Sequence, residues 1–146
     1  MKPAPFKYYR ATNFTEAASL IGELENARLL AGGQSLMPMM NMRYVMVDHL
    51  IDLNDVIELT GIDASGTRAK IKAMTRQCDI LSSDELKRKA PIFQEALMQV
   101  GHMQTRNRGT IGGSLSHLDP AAELPGLAAL HDATVTISKN NSSRSV

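Results

Sequence analysis

The sequence contains no tryptophan and only six aromatic residues among 146. Proteins that bind single-stranded nucleic acid stack bases on aromatic side chains, and this composition supplies few such platforms. The sequence also has no large excess of either charge, because sixteen lysines and arginines are balanced by fifteen aspartates and glutamates, which gives a net charge of +1. Neither nucleic acid nor an anionic membrane surface is therefore predicted as a partner.

Cysteine is nearly absent as well. Cys78 stands alone, which excludes an intramolecular disulfide, a zinc site built from cysteines and a cysteine-held iron–sulfur cluster. The first ten residues contain no apolar core of a secretory signal, and no run approaches the ~20 apolar residues of a membrane span. The four histidines match no short metal-ligand spacing. The sequence thus predicts a cytoplasmic protein without a metal site.

Residues 1–55 predict a small α/β lobe. We expect a strand at 6–9, a helix over 15–25 that Asn13 caps, and strands at 28–31 and within 45–53. The order strand, helix, strand favours parallel pairing across a crossover helix.

Residues 56–146 predict a second, mixed or antiparallel lobe, so that the whole is an α+β fold. We expect a hairpin over 61–73, helices at 78–81, 84–89 and 92–100, a loop at 101–113, a helix over 121–130 with Pro125 as an internal interruption, and a strand at 133–138. No partner for this last strand is evident. An exposed sheet edge near Val135 and Ile137 is therefore predicted.

Two glycine clusters are the candidate binding elements. They are Gly32 and Gly33 beside Ser35, then Gly109, Gly112 and Gly113 beside Thr110 and Ser114. Paired glycines permit positive φ and a close backbone approach to a ligand, and successive exposed N–H groups form an anion-binding concavity. Neither cluster has the spacing of a Walker A loop or a Rossmann fingerprint. Taken by spacing alone, both clusters also fit ordinary turns.

Longer segments around both clusters resemble the FAD-binding medium subunit of the molybdenum hydroxylases, the family of carbon monoxide dehydrogenase and xanthine dehydrogenase. The matching segments are 30–43 (LAGGQSLMPMMNMR), 104–125 (centred on RNRGTIGGSLSHLDPAAELP), 5–9 and 49–53. The resemblance implies a two-lobed PCMH-type domain, similar to vanillyl-alcohol oxidase, with FAD between the lobes. Because the family's flavin lobe continues past the last predicted strand, the second lobe is expected to be incomplete.

The resemblance also implies which residues hold the cofactor. The FAD pyrophosphate would contact Ala31, Gly32, Gly33, Gln34 and Ser35 in the first lobe, and Thr110, Ile111, Gly112, Gly113 and Ser114 in the second. Glu123 corresponds to an acidic residue that contacts the flavin side, and Asp119 is a further candidate. Arg106 and Arg108 fit either phosphate neutralisation or an exposed loop. No catalytic side chain is implied, because the flavin carries the chemistry.

The implied function is electron transfer within a complex. In the family, a molybdopterin large subunit oxidises the substrate, a small subunit carries two [2Fe–2S] clusters, and FAD on the medium subunit passes the electrons to an external acceptor. Two alternatives stay open. One is a non-catalytic fragment that docks with these subunits without stable FAD, and the other is a stand-alone PCMH-type flavin oxidoreductase.

Overall fold

The computed structural model describes residues 1–139 and 142–146. These residues form two compact units, one of Met1–Glu58 with Ala133–Val146 and one of Leu59–Asp132. The division into pyrophosphate-holding lobes at 1–55 and 56–146 stays a prediction.

A three-stranded parallel sheet organises the first unit. Its strands are β1 (Lys7–Arg10), β2 (Ala27–Leu30) and β3 (His49–Asp52), in the order β1-β3-β2. The predicted parallel sense is confirmed, but β3 lies between β1 and β2, so that Tyr9 and Leu29 both pair with Ile51. Because β3 has a neighbour on each side, Leu50 and Ile51 are only 2% and 0% exposed.

Two helices connect these strands. Helix α1 (Phe14–Glu23) is the crossover between β1 and β2, and Asn13 caps it as predicted, its side-chain oxygen accepting a hydrogen bond from Glu16 N at 2.9 Å. Helix α2 (Leu36–Asn41) buries Met40 in the core that contains Leu50. Packing of α2 on the sheet fixes the path of residues 31–35, which join β2 to α2.

Helices dominate the second unit. It contains the hairpin β4 (Ile62–Asp63) and β5 (Lys70–Ile71), followed by α3 (Gln77–Ser82), α4 (Asp84–Lys89), α5 (Ile92–Gln99), α6 (Met103–Arg108), α7 (Ile111–His117) and α8 (Glu123–Leu130). A 3₁₀ turn at Ile57–Leu59 precedes β4. The core combines Ala64, Ile80, Leu86, Leu97, Leu124 and Leu127. The predicted hairpin and the predicted helices between residues 78 and 100 are confirmed.

Residues 101–113 are not the predicted loop, since they contain α6 and the start of α7. The glycine-rich composition favours a loop locally, but hydrogen bonds to residues distant in sequence determine the backbone here. Here Gly112 N donates to Ala73 O at 2.8 Å and Gln77 N donates to Gly109 O at 2.9 Å. Pro125 does not interrupt its helix either. It lies in the first turn of α8, where a missing N–H costs little.

The C-terminal strand has one partner, which corrects the expectation that none is present. Because its sheet has only two strands among the described residues, the other edge of this strand is still unpaired, as predicted. Strands β6 (Thr136–Lys139) and β7 (Ser142–Ser145) form an antiparallel hairpin in which Ile137 pairs with Arg144. Val135 and Val146 exchange two backbone hydrogen bonds, at 2.7 and 3.0 Å. The polar tail thus supplies the second strand, and polar composition alone is compatible with pairing when the hairpin is solvent-exposed.

Two further findings concern residues 1–139 and 142–146 only. None of their helices is long and apolar enough to cross a membrane. No group of three histidine, cysteine, aspartate or glutamate side chains among them could hold a metal ion.

Candidate functional site

The first glycine cluster forms the tight connection between β2 and α2. Gly33 has φ +72°, a conformation that a side chain makes costly. A Cβ atom at this position would lie 3.0 Å from Met37 Cγ and 3.2 Å from Leu30 Cδ1. Both backbone conformation and packing therefore require glycine here, and positive φ is found as expected.

Donors within the first unit hold the carbonyl groups of this connection. Two side chains donate to this connection: Asn54 Nδ2 to Ala31 O and Gln34 Nε2 to Gly32 O, each at 3.2 Å. Two backbone groups of α2 also donate: Met37 N to Gly33 O at 3.1 Å and Met39 N to Ser35 O at 3.2 Å. The described chain has no cis peptide bond. Each following N–H therefore points away from its anchored carbonyl.

The amide groups of the connection remain available. Within the part of the chain that the structure describes, the N–H groups of residues 32–36 donate to no acceptor. The Ser35 side chain does not cap α2, which leaves its hydroxyl available too. A run of N–H donors whose carbonyls are tied elsewhere is the backbone arrangement that binds anions. This part of the predicted site therefore has the chemistry of a phosphate cradle.

The second glycine cluster differs, because its amide groups already have acceptors. Thr110 is 2% exposed, and its Oγ1 accepts from Gly113 N at 3.1 Å at the start of α7. Ile111 N donates to Thr75 O at 3.2 Å and Gly112 N donates to Ala73 O at 2.8 Å. The exposed N–H groups expected here are thus bonded within the unit. The half-buried Ser114 hydroxyl donates to no acceptor among the described residues and remains available, whereas the Thr110 hydroxyl is buried.

Glycine at 109 and 112 serves close packing. A Cβ atom on Gly112 would lie 2.7 Å from both Ala73 Cβ and Ala73 O, and one on Gly109 would lie 2.9 Å from Gln77 Oε1. Neither glycine has positive φ. These residues let the polypeptide around α7 approach residues 73–77, which corrects the expectation that this cluster serves backbone conformation.

The two acidic candidates lie at the start of α8. Glu123 is its first residue and is half-buried, and its carboxylate has no hydrogen-bond or ion-pair partner among residues 1–139 and 142–146. Asp119 is exposed, and its Oδ1 accepts from Ala121 N at 2.9 Å. Glu123 therefore has free acceptor atoms, whereas Asp119 stabilises the turn before the helix.

Arg106 has a structural role in the second unit. Its Nη1 donates to Val100 O at 3.0 Å and to Gly101 O at 3.1 Å, which joins α6 to the end of α5. The Arg108 side chain is exposed at the end of α6. The alternative of an exposed loop residue is wrong for Arg106, which is half-buried in helix α6, and phosphate neutralisation stays a prediction.

Sequence analysis missed two polar residues beside the first cluster, Asp52 and Asn54. Asp52 ends β3 and is 9% exposed. Its carboxylate accepts from the Tyr8 hydroxyl, from Asn54 N at 2.8 Å and from Asn54 Nδ2. An aspartate that accepts from the N–H two residues on forms an Asx turn, and the pattern Asp-x-Asn after a strand was the available signal.

The carboxylate of Asp52 is stabilised in its ionised form. Burial acts to raise the pKa of Asp52, but the hydrogen bonds from Tyr8 and Asn54, with attraction to Arg10, outweigh it and hold the pKa below its usual value. A lowered pKa in the folded protein means that the stabilisation is present above the unfolded-state pKa and is lost as the pH falls through the folded-state pKa.

We therefore expect Asp52→Asn to lower the free energy of unfolding by about 1–2 kcal/mol at neutral pH. The difference from the unaltered chain should shrink as the pH falls below about 4, where both proteins carry a neutral group. Urea unfolding followed by tyrosine fluorescence at several pH values measures this, because all three tyrosines (Tyr8, Tyr9 and Tyr44) lie in the first unit. A difference independent of pH would contradict the assignment of an ionised Asp52.

Comparison with known proteins identifies relatives along the whole chain. The chain is 42% identical over 146 residues to the glyceraldehyde dehydrogenase medium chain of Sulfolobus acidocaldarius. The alignment covers 100% of this chain and 52% of that protein. It is 40% identical to a solved carbon monoxide dehydrogenase from Hydrogenophaga pseudoflava, with a TM-score of 0.96, and covers 51% of the matched chain. Quinoline 2-oxidoreductase from Pseudomonas putida 86 matches with 36% identity, 51% coverage of its chain and a TM-score of 0.97.

These matches confirm the predicted α+β fold as that of the flavin subunits in the carbon monoxide dehydrogenase and quinoline 2-oxidoreductase structures. The alignment includes the whole chain, which spans about half the length of the curated relatives it matches. Residues 4–146 match the family model described as the FAD binding domain in molybdopterin dehydrogenase. The chain therefore belongs to the family of FAD-binding domains of molybdopterin dehydrogenases.

Proposed function

We propose that this chain holds FAD as part of the medium subunit of a molybdenum hydroxylase. In this role it receives electrons from [2Fe–2S] clusters on a small partner subunit and passes them to an external acceptor. The observation that carries the proposal is the run of N–H groups at residues 32–36 that have no acceptor among the residues the structure describes. A reducing cytoplasm suits a chain with a single cysteine.

We assign the strongest pyrophosphate contacts to Ala31, Gly32, Gly33, Gln34 and Ser35. A dianionic pyrophosphate needs several donors, and backbone N–H groups provide them without the loss of side-chain entropy that a lysine would incur. No positive side chain within residues 31–35 is needed for this. The near-neutral composition of the chain is therefore compatible with a bound anion.

The contribution of Thr110, Ile111, Gly112, Gly113 and Ser114 is of another kind. The N–H groups of residues 111–113 stabilise the unit itself, so the hydroxyl group of Ser114 is the donor that we assign to phosphate, whereas the buried Thr110 contributes by capping α7. Glu123, whose carboxylate has no partner among the described residues, would accept hydrogen bonds from hydroxyl groups of the flavin side chain. Asp119 is the weaker acceptor, because its Oδ1 is already bonded to Ala121 N.

When bound, FAD supplies the redox chemistry at its isoalloxazine ring, and the protein supplies binding, orientation and electrostatics. The described residues of this chain therefore act by holding the cofactor rather than by transferring protons. The organic substrate would be oxidised on a molybdopterin-containing large subunit. Two descriptions support this division: the name "medium chain" of the glyceraldehyde dehydrogenase relative, and the family description, which names molybdopterin.

Equilibrium binding tests the proposal directly. We expect the purified chain to bind one equivalent of FAD. Riboflavin, which lacks both the pyrophosphate and the adenosine, should bind at least tenfold more weakly, in part because the phosphate-binding N–H groups would have no ligand. Fluorescence titration with each flavin, checked by equilibrium dialysis, measures both affinities.

The outcomes separate the candidate functions. Equal affinity for FAD and riboflavin would contradict a pyrophosphate site at residues 32–36. Absence of flavin binding together with co-purification of the iron–sulfur and molybdopterin subunits would favour a docking role without the cofactor. Flavin binding with neither partner would favour a stand-alone flavin oxidoreductase.

A further inference from the structure

We propose that Asn54 is a positioning residue that aims the Gly32 N–H at the cofactor pyrophosphate, an inference that rests on the function proposed above. Asn54 lies outside the glycine cluster in sequence, two residues beyond the end of β3. Its side chain nevertheless donates from Nδ2 to Ala31 O at 3.2 Å. This bond ties the central strand of the sheet to the connection between β2 and α2.

The direction of one carbonyl determines the direction of the next N–H. Ala31 and Gly32 share a trans peptide unit, whose C=O and N–H point to opposite sides. With Ala31 O held by Asn54, the Gly32 N–H points away from Asn54 and has no acceptor within the described residues. Without Asn54 the peptide unit would be free to rotate, because glycine at 32 and 33 permits many backbone conformations.

Asn54 is itself held in place by a buried charge. Asp52 Oδ1 accepts from both Asn54 N and Asn54 Nδ2, and Asp52 Oδ2 accepts from the Tyr8 hydroxyl. Asp52 is 9% exposed and belongs to the strand that pairs with both neighbours in the sheet. Asn54 is therefore held by the central strand of the first unit. Through its bond to Ala31 O, Asn54 in turn holds the connection between β2 and α2.

This arrangement adds no contact between Asn54 and the cofactor. Its effect is on the free protein, in which the Gly32 N–H is already directed before a ligand arrives. A preorganised donor binds more tightly because no conformational entropy is lost on binding. Loss of Asn54 should therefore weaken phosphate-containing ligands selectively while the fold is retained.

The test compares Asn54→Ala with the unaltered 146-residue chain. We expect the affinity for FAD to fall by about five- to tenfold, the usual effect of one lost hydrogen bond, with riboflavin affinity unchanged. In ¹H–¹⁵N spectra, addition of inorganic pyrophosphate should shift the Gly32 amide in the unaltered chain and shift it much less in the variant. A purely structural role would not alter the response of this one amide.

Asn13→Ala is the matched control, because it removes an asparagine hydrogen bond from the same unit, at the start of α1, without contact to the glycine cluster. It should lower the unfolding temperature and leave FAD affinity unchanged. Asn54→Asp keeps the size of the side chain, but an ionised carboxylate cannot donate a hydrogen bond to Ala31 O. This variant should therefore lower FAD affinity as Asn54→Ala does.

Equal FAD affinity in Asn54→Ala and the unaltered chain would overturn the inference and leave the proposed function intact. Failure of both Asn54 variants to fold, seen in far-UV circular dichroism, would make Asn54 a structural residue and also overturn it. Absence of FAD binding by the unaltered chain would overturn the proposed function and this inference together.

Discussion

Replacing Gly112 by alanine is expected to lower the free energy of unfolding of the second unit by about 3 kcal/mol. The added Cβ would lie 2.7 Å from Ala73 Cβ and from Ala73 O, and the backbone oxygen cannot rotate away as a flexible side chain does. Helix α7 would have to retreat from residues 73–75. That shift breaks the hydrogen bonds from Gly112 N to Ala73 O and from Ile111 N to Thr75 O.

Gly126→Ala provides the matched control for this change. Gly126 lies in helix α8, and nothing stands within 4 Å of the position a Cβ would occupy. Alanine there should raise stability by about 0.5–1 kcal/mol, because glycine loses more backbone entropy in a helix. Thermal unfolding followed by far-UV circular dichroism measures both variants. Similar unfolding temperatures for the two would contradict the close packing of α7 on residues 73–75.

Replacing Gly33 by alanine is expected to weaken FAD binding by about tenfold to thirtyfold. Alanine in the left-handed region costs roughly 1–2 kcal/mol, and a tenfold change in affinity corresponds to about 1.4 kcal/mol. Gly33 has φ +72°, and an added Cβ would also press on Met37 Cγ at 3.0 Å and Leu30 Cδ1 at 3.2 Å. Relaxation of this strain would rotate the neighbouring N–H groups away from a bound phosphate.

The matched control for this variant is Gly66→Ala, in the turn between β4 and β5. Gly66 lacks positive φ, and its Cβ position is open. We expect unchanged FAD affinity for this variant. Fluorescence titration with FAD provides the comparison, and tyrosine fluorescence reports whether the first unit, which contains all three tyrosines, remains folded. An unchanged FAD affinity in Gly33→Ala would show that the conformation of residue 33 does not matter for the cofactor.

Local sequence determined most elements of the first unit. The apolar spacing in residues 14–23 and the cap at Asn13 specify α1, because both signals act within a few residues. Strands β1 and β2 and their parallel sense followed from the same local patterns. The order of the sheet did not, because β3 enters between them through hydrogen bonds formed across more than 20 residues of sequence.

In the second unit, local signals failed where long-range bonds decide the backbone. The segment around Gly109 has the composition of a loop, yet Thr110 and Gly112 are held by residues 73–77 and begin a helix. Residues Ser142–Ser145 are polar and exposed, yet they pair with β6. Pairing partners that lie far apart or that lack apolar side chains leave little trace in composition.

The sequence by itself determined the family of this protein, because long motifs around two glycine clusters carry enough specific residues to identify it without knowledge of their contacts. The near absence of aromatic residues and the single cysteine excluded other classes of partner and site. Only the tertiary structure decided how the two clusters differ. Among the described residues, the N–H groups of residues 32–36 have no acceptor while Asn54 and α2 bind neighbouring carbonyls, whereas residues 111–113 donate their N–H groups within the second unit. Hydrogen-bond partners depend on which segments meet in space, and composition cannot specify that.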